Sequence, residues 1–290
     1  MELALWGTRG SLASPGPETV RYGGNTSCVE VRDGRGTVLA LDAGTGIRRM
    51  GDALVREQGR VDVLLTHLHM DHIQGLGFFG PLYQQGREVH IWGPASPTLS
   101  IKERLARYLS PPLFPVRLRD LPCKLTLHDV PLGEFQIGLL RINAQLVCHP
   151  GPTVGYRISE NGTSMAYLPD HEPALGWPSF PGPREWMSGL KLAQDVDLLI
   201  HDTQYTDDEY ETHVGWGHSS LEQALAFAEM AGVARLMTFH HDPEHSDAQL
   251  DRMLKTAKHA RHRPFDLIAG TEGLRLTITS KAKPSRAAIA

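Results

Sequence analysis

The chain lacks any long apolar run: 41% of its 290 residues are hydrophobic, yet no stretch approaches the roughly 18 apolar residues a membrane span needs. Met1 to Gly10 (MELALWGTRG) also lacks the basic start and apolar core of an export signal. The expectation is a cytoplasmic protein with no membrane partner. Cysteine is scarce, and Cys28, Cys123 and Cys148 are an odd number at irregular spacing. They make neither a disulfide framework nor a C-x-x-C metal site. A basic stripe is missing too: the formal charge is −4, with Lys and Arg scattered. Large nucleic acid is therefore disfavoured as a partner, because such binders displace counterions with clustered positive charge. What the chain has in excess is histidine, at 15 residues.

Short apolar strands are expected at Leu3 to Trp6, Cys28 to Val31, Val38 to Leu41, Val61 to Leu65, Val89 to Trp92, Leu146 to Cys148, Met165 to Leu168, Leu198 to Ile200, Leu236 to Phe239 and Leu274 to Ile278. Helical spacing covers Ile47 to Val55, and Ser96-Pro97 reads as the cap and first turn of a helix through Leu109. Two later helices open on capping boxes, Ser219 with Glu222 and Ser246 with Gln249. The Pro- and Gly-rich run Trp177 to Pro183 reads as a loop. Residues 1–280 are expected to form one α/β domain and 281–290 a flexible tail.

The histidines concentrate in Thr66-His67-Leu68-His69-Met70-Asp71-His72, directly after the strand VDVLL. Three imidazoles and a carboxylate within so short a span face one point if the strand ends and the chain turns there. Borderline divalent metals take such nitrogen and oxygen donors. A solvated His-rich loop is the competing account. Against it, three other strands end on residues of the right type: QLVC runs into His149, MAYLP into Asp170, and RLMTF into His240 followed by His241. Asp170 is the natural bridge, since a carboxylate has two oxygens and can hold two cations a few ångströms apart.

Together with Gly7–Ser11 (GTRGS), Arg21–Ser27 (RYGGNTS), Leu41–Gly46 (LDAGTG) and Gly217-His218-Ser219, these residues make a chain that resembles the metallo-β-lactamase superfamily. Within it the likeness is to the ribonuclease Z-like branch, which includes cyclic-nucleotide phosphodiesterases. The resemblance implies a four-layer αβ/βα sandwich with the site along one edge. It implies two divalent ions, zinc first, with manganese or iron as alternatives. It also implies that His67, His69 and His149 hold one metal, Asp71, His72 and His240 the other, and that Asp170 bridges them. His240 is preferred to His241 because it directly follows its apolar strand, as His149 does.

The same resemblance assigns His218 to the scissile phosphate or the leaving oxygen, and makes the residue after His201 its orienting partner. Where that branch has Glu, this chain has Asp202, with a shorter reach. Asp71 counts as a catalytic carboxylate as well as a ligand. Arg9, Asn25 and Ser27 are candidates to line the edge, although Gly-rich turns carry such residues for backbone reasons. Trp216 is read first as a packing residue and second as a base-stacking one.

The expected activity is a phosphodiesterase acting on a small, cyclic nucleotide by attack of water that two cations make acidic near neutral pH. The alternatives are a transfer-RNA 3′ endonuclease, a lactam or thioester hydrolase, and a non-catalytic metal sensor. The endonucleases carry a long arm between the bridging Asp and the dipeptide corresponding to His201-Asp202, where this chain has only about thirty residues. The expected partner is thus a small-molecule phosphodiester, and a homodimer is the assembly considered.

Overall fold

The computed structural model describes residues 1–177, 180–260 and 262–280. Among the described residues fourteen strands form two seven-stranded sheets. The first contains β1 (Glu2–Gly7), β2 (Cys28–Arg32), β3 (Val38–Leu41), β4 (Val61–Leu64), β5 (Glu88–Pro94), β6 (Lys124–Val130) and β14 (Arg275–Thr277), in the order β14-β1-β2-β3-β4-β5-β6. The second contains β7 (Gly133–Ile137), β8 (Leu140–Leu146), β9 (Val154–Glu160), β10 (Thr163–Leu168), β11 (Leu198–Asp202), β12 (Arg235–Phe239) and β13 (Asp266–Ala269), in the order β13-β12-β11-β10-β9-β8-β7. The helices are α1 (Ile47–Leu54), α2 (Met70–Ile73), α3 (Ile101–Ala106), α4 (Leu190–Ala193), α5 (Asp207–His213), α6 (Leu221–Ala231) and α7 (Asp247–Ala260).

Strand alternation builds the layers, because successive side chains leave opposite faces of a sheet. In β3, Leu39 and Leu41 enter a core shared with Ile158, Tyr167, Ile200 and Phe239 of the other sheet. Val38 and Ala40 point the other way, onto Ile47, Met50 and Leu54 of α1. The second sheet repeats the device: Leu198 and Ile200 face the shared core, whereas Leu199 and Leu236 meet α4 and α6 through Leu190, Leu192 and Leu225. Helices, sheet, sheet, helices is the four-layer αβ/βα sandwich.

Both sheets change strand sense at the point that matters. β3, β4, β5 and β6 run parallel, as do β10, β11, β12 and β13. The carboxyl ends of parallel strands gather at one edge, the usual place for a site in such sheets.

Several local expectations are corrected. Val147 and Cys148 lie beyond β8, which ends at Leu146. The predicted helix from Ser96 begins only at Ile101, capped by Ser100 with Glu103 in a complete capping box. For α6 the box is Ser220 with Gln223, one residue later than Ser219 with Glu222. Strands β6, β7, β9 and β13 were not expected. The expected tail lies outside the described residues, as do two positions of the expected loop over 177–183. Among the described residues no helix is long and apolar enough to cross a membrane.

Candidate metal centre

Each expected donor leaves a strand end. The turn after β4 carries His67 and His69 and runs into α2 with Asp71 and His72. His149 follows β8, Asp170 follows β10, and His240 follows β12. The structure brings all seven together in two groups: His67, His69 and His149, and Asp71, His72, Asp170 and His240, with the donor atoms of each group within 4.8 Å of one another. Asp170 lies between them. Its Oδ1 is 2.9 Å from His72 Nε2, while its Oδ2 is 3.3 Å from His240 Nε2, 3.7 Å from His67 Nε2 and 3.8 Å from His149 Nε2.

The far nitrogens decide what the near ones present. His72 Nδ1 faces Asp42 Oδ2 at 2.8 Å, His149 Nδ1 faces the Gly217 carbonyl at 2.8 Å, and His240 Nδ1 faces Gln204 Oε1 at 3.0 Å. With those protons on Nδ1, each Nε2 aims a lone pair inward. In the neutral forms a ligand needs, lone pairs then confront one another: His72 Nε2 against Asp170 Oδ1 at 2.9 Å and against His240 Nε2 at 3.4 Å. Acceptors cannot bond acceptors, and His67 Nε2 is buried with no hydrogen-bond partner. A donor set of this kind fits divalent cations between its members. Burial also pushes His67, His69 and His149 below the usual imidazole range, which favours the neutral form a ligand needs.

His218 stands beside the cluster, its ring stacked 4.9 Å from that of His240. Its Nδ1 lies 2.7 Å from Asp202 Oδ2, so the shorter Asp side chain does reach. Asp202 is itself fixed by the amide of Gln204 at 2.9 Å. Burial works against a charged imidazole here, yet the carboxylates of Asp202, Asp170 and Asp71 prevail and push its pKa up to about 9. Cations on Asp170 and Asp71 would cancel those two charges and leave Asp202 to hold the proton.

Other candidates fall elsewhere. His241 turns away: its Nε2 faces the Gly270 carbonyl at 2.8 Å, and burial lowers its pKa to about 3. Arg9 is fully buried and ties the carbonyls of Gly23, Asp242 and His245, a scaffolding role. Asn25 pairs with Glu272, and Ser27 is buried without joining the donors. Trp216 is not a packing residue, being 60% exposed.

Three further residues of consequence have no motif in the sequence to mark them. Asp42, at the end of β3, gathers Thr66, His72 and Tyr167. Gln204 joins Asp202 to His240. Glu172 accepts from the amides of Gly215 and Gly217. The only sequence signals are position: Asp42 ends a buried strand inside a Gly-rich run, and Glu172 lies two residues beyond Asp170.

Residues 37–241 match the family described as the beta-lactamase superfamily domain. A ribonuclease Z from Myxococcus xanthus is 28% identical over 276 residues, covering 79% of this chain and 85% of that protein. The short form of human tRNase Z shares the fold with a TM-score of 0.65 at 19% identity, covering 97% of this chain and 100% of that one. Yeast PDE1 does so with a TM-score of 0.64 at 15% identity, covering 94% and 98%.

Proposed function

Given that the chain belongs to the beta-lactamase superfamily and is a metal-dependent hydrolase, we propose that it hydrolyses small phosphodiesters, cyclic nucleotides foremost. The observation that carries this is the gathering of seven donors at one edge beside a further imidazole, His218, that Asp202 holds at 2.7 Å. His67, His69 and His149 would hold one cation and Asp71, His72 and His240 the other, with Asp170 between them. Zinc suits the His-rich set best, and manganese and iron accept the same donors. When bound, two such ions make water acidic near neutral pH and neutralise phosphoryl oxygens.

The protein's own groups supply the remainder. Asp202 takes the Nδ1 proton of His218 as a hydrogen bond and fixes the ring. Nε2–H is then the donor available to a leaving alkoxide. Asp71 is held by the Ser11 amide at 2.9 Å, which fixes the carboxylate against His72 and His240.

The ribonuclease Z relatives favour a second reading, 3′ processing of transfer RNA, since their likeness extends over most of both chains. What tips the choice toward a compact substrate is the lack of a basic stripe together with the short connection from β10 to β11. Among its described residues that segment packs down, burying Met187, Leu190 and Leu192, and does not extend as an arm. The test compares catalytic efficiency on cyclic AMP, cyclic GMP and a precursor transfer RNA under one metal and salt condition. Cleavage of a cyclic nucleotide is expected; efficient RNA trimming with no cyclic nucleotide cleaved would install the second reading.

A further inference from the structure

The loop between α5 and α6 exposes an indole on an immobilised backbone. Trp216 is flanked by Gly215 and Gly217, at φ of 89° and 91°. The amides of both glycines donate to the same carboxylate, Glu172, at 2.7 Å each. Glu172 is fully buried and also receives the Tyr210 hydroxyl at 2.9 Å. A scattered exposed apolar side chain needs no explanation. One whose supporting backbone is pinned on both sides has had its ordering cost met before any ligand arrives, which is what preorganised binding requires.

Ring contacts also join the indole to the donor edge. Trp216 meets His213 at 4.6 Å and near right angles, His213 stacks on Tyr205 at 4.7 Å, and Tyr205 meets His218 edge-on at 6.0 Å. A row of rings thus runs from His218 to the rim. The same loop also reaches the donors directly, through the Gly217 carbonyl that holds His149 Nδ1.

We propose that Trp216 is the stacking platform for the nucleobase of the substrate, engaging the base at the rim while the phosphate lies at the donor cluster. This rests on the phosphodiesterase reading above. Every base has a π face, so such a platform selects for the presence of a base more than for its identity. Glu172 is the positioning residue that keeps the platform in place.

The test measures, by calorimetry on metal-loaded protein, affinity for adenosine 5′-monophosphate and for ribose 5-phosphate, which share the phosphate and differ by the base. The wild type should prefer the nucleotide by about fivefold or more, the low end of base–aromatic stacking. Trp216→Ala and Trp216→Leu should erase the preference, Trp216→Phe should keep most of it, and ribose 5-phosphate should bind all four proteins equally. No preference in the wild type, or a preference that survives in Trp216→Ala, overturns the proposal. Because binding is read without turnover, a protein that prefers the nucleotide yet cleaves no cyclic nucleotide defeats the activity reading and leaves the platform standing.

Discussion

Replacing Asp42 with Asn should weaken metal binding at the proposed centre without touching a ligand. Asp42 Oδ1 accepts from the Thr66 amide at 2.7 Å and from the Thr66 hydroxyl at 3.0 Å. Its Oδ2 faces His72 Nδ1 at 2.8 Å and the Tyr167 hydroxyl at 3.0 Å. An amide keeps an acceptor on one side only. If its oxygen stays with Thr66, its NH2 confronts His72, which can answer only by carrying its proton on Nε2, the nitrogen needed at the metal. The backbone should tolerate the change, since Asp42 has a φ of 58° and Asn is among the residues most at ease there. Loss of such an orienting partner costs about 10–100-fold in metal affinity. Chelator competition followed by elemental analysis reads this directly, with the melting temperature of the metal-free protein as a check on folding. Metal retention equal to the wild type, in a folded variant, would refute the tautomer argument.

Protein purified without chelator should carry close to two metal ions per chain, and His67→Ala or Asp170→Ala should lose metal and activity together; a fully active protein with one ion would overturn the two-ion assignment. His218→Ala should keep its metals and turn over roughly a hundredfold or more slowly, so metal loss in that variant would make His218 a ligand. In Asp202→Asn the charge that offsets burial at His218 is gone, so its pKa falls and the protonated form is lost at lower pH. The alkaline limb of the pH–rate profile should therefore move toward acid, and an unmoved limb would separate Asp202 from the proton on His218. Gly217→Ala would place a Cβ 2.3 Å from His149 Nδ1 at a φ of 91°, so metal content should fall even though no donor is changed; full occupancy would show that the loop yields.

The donors were legible because their chemistry is contiguous or sits at the end of an apolar run: the cluster from His67 to His72 needs no fold to be noticed. Strands β3, β4, β10, β11 and β12 were legible for the same reason, being buried along nearly their whole length. Lys124–Val130 and Gly133–Ile137 escaped because their side chains alternate between exposed and half-buried at the sheet edges, which dilutes the apolar pattern. The cap of α6 was displaced because Ser219 and Ser220 are adjacent and each has a plausible partner three residues on. Asp42 and Glu172 carry no local mark: the former acts on residues 24 to 125 positions away, the latter on residues 38 to 45 away. Only the folded chain makes them neighbours.

Donors drawn from both sheets impose an order in time on biosynthesis. His67 to His72 leave the ribosome first; His149 and Asp170 must follow before the first proposed site is complete, and His240 before the second. At about 5–20 residues per second the interval from His67 to His240 lasts roughly ten to thirty seconds. Until Asp170 emerges the nascent chain offers imidazoles with no carboxylate between the two groups, and until His240 emerges the second group lacks a donor. On the proposed reading, the donor set that would discriminate between cations is therefore complete only late, once the second sheet closes on the first.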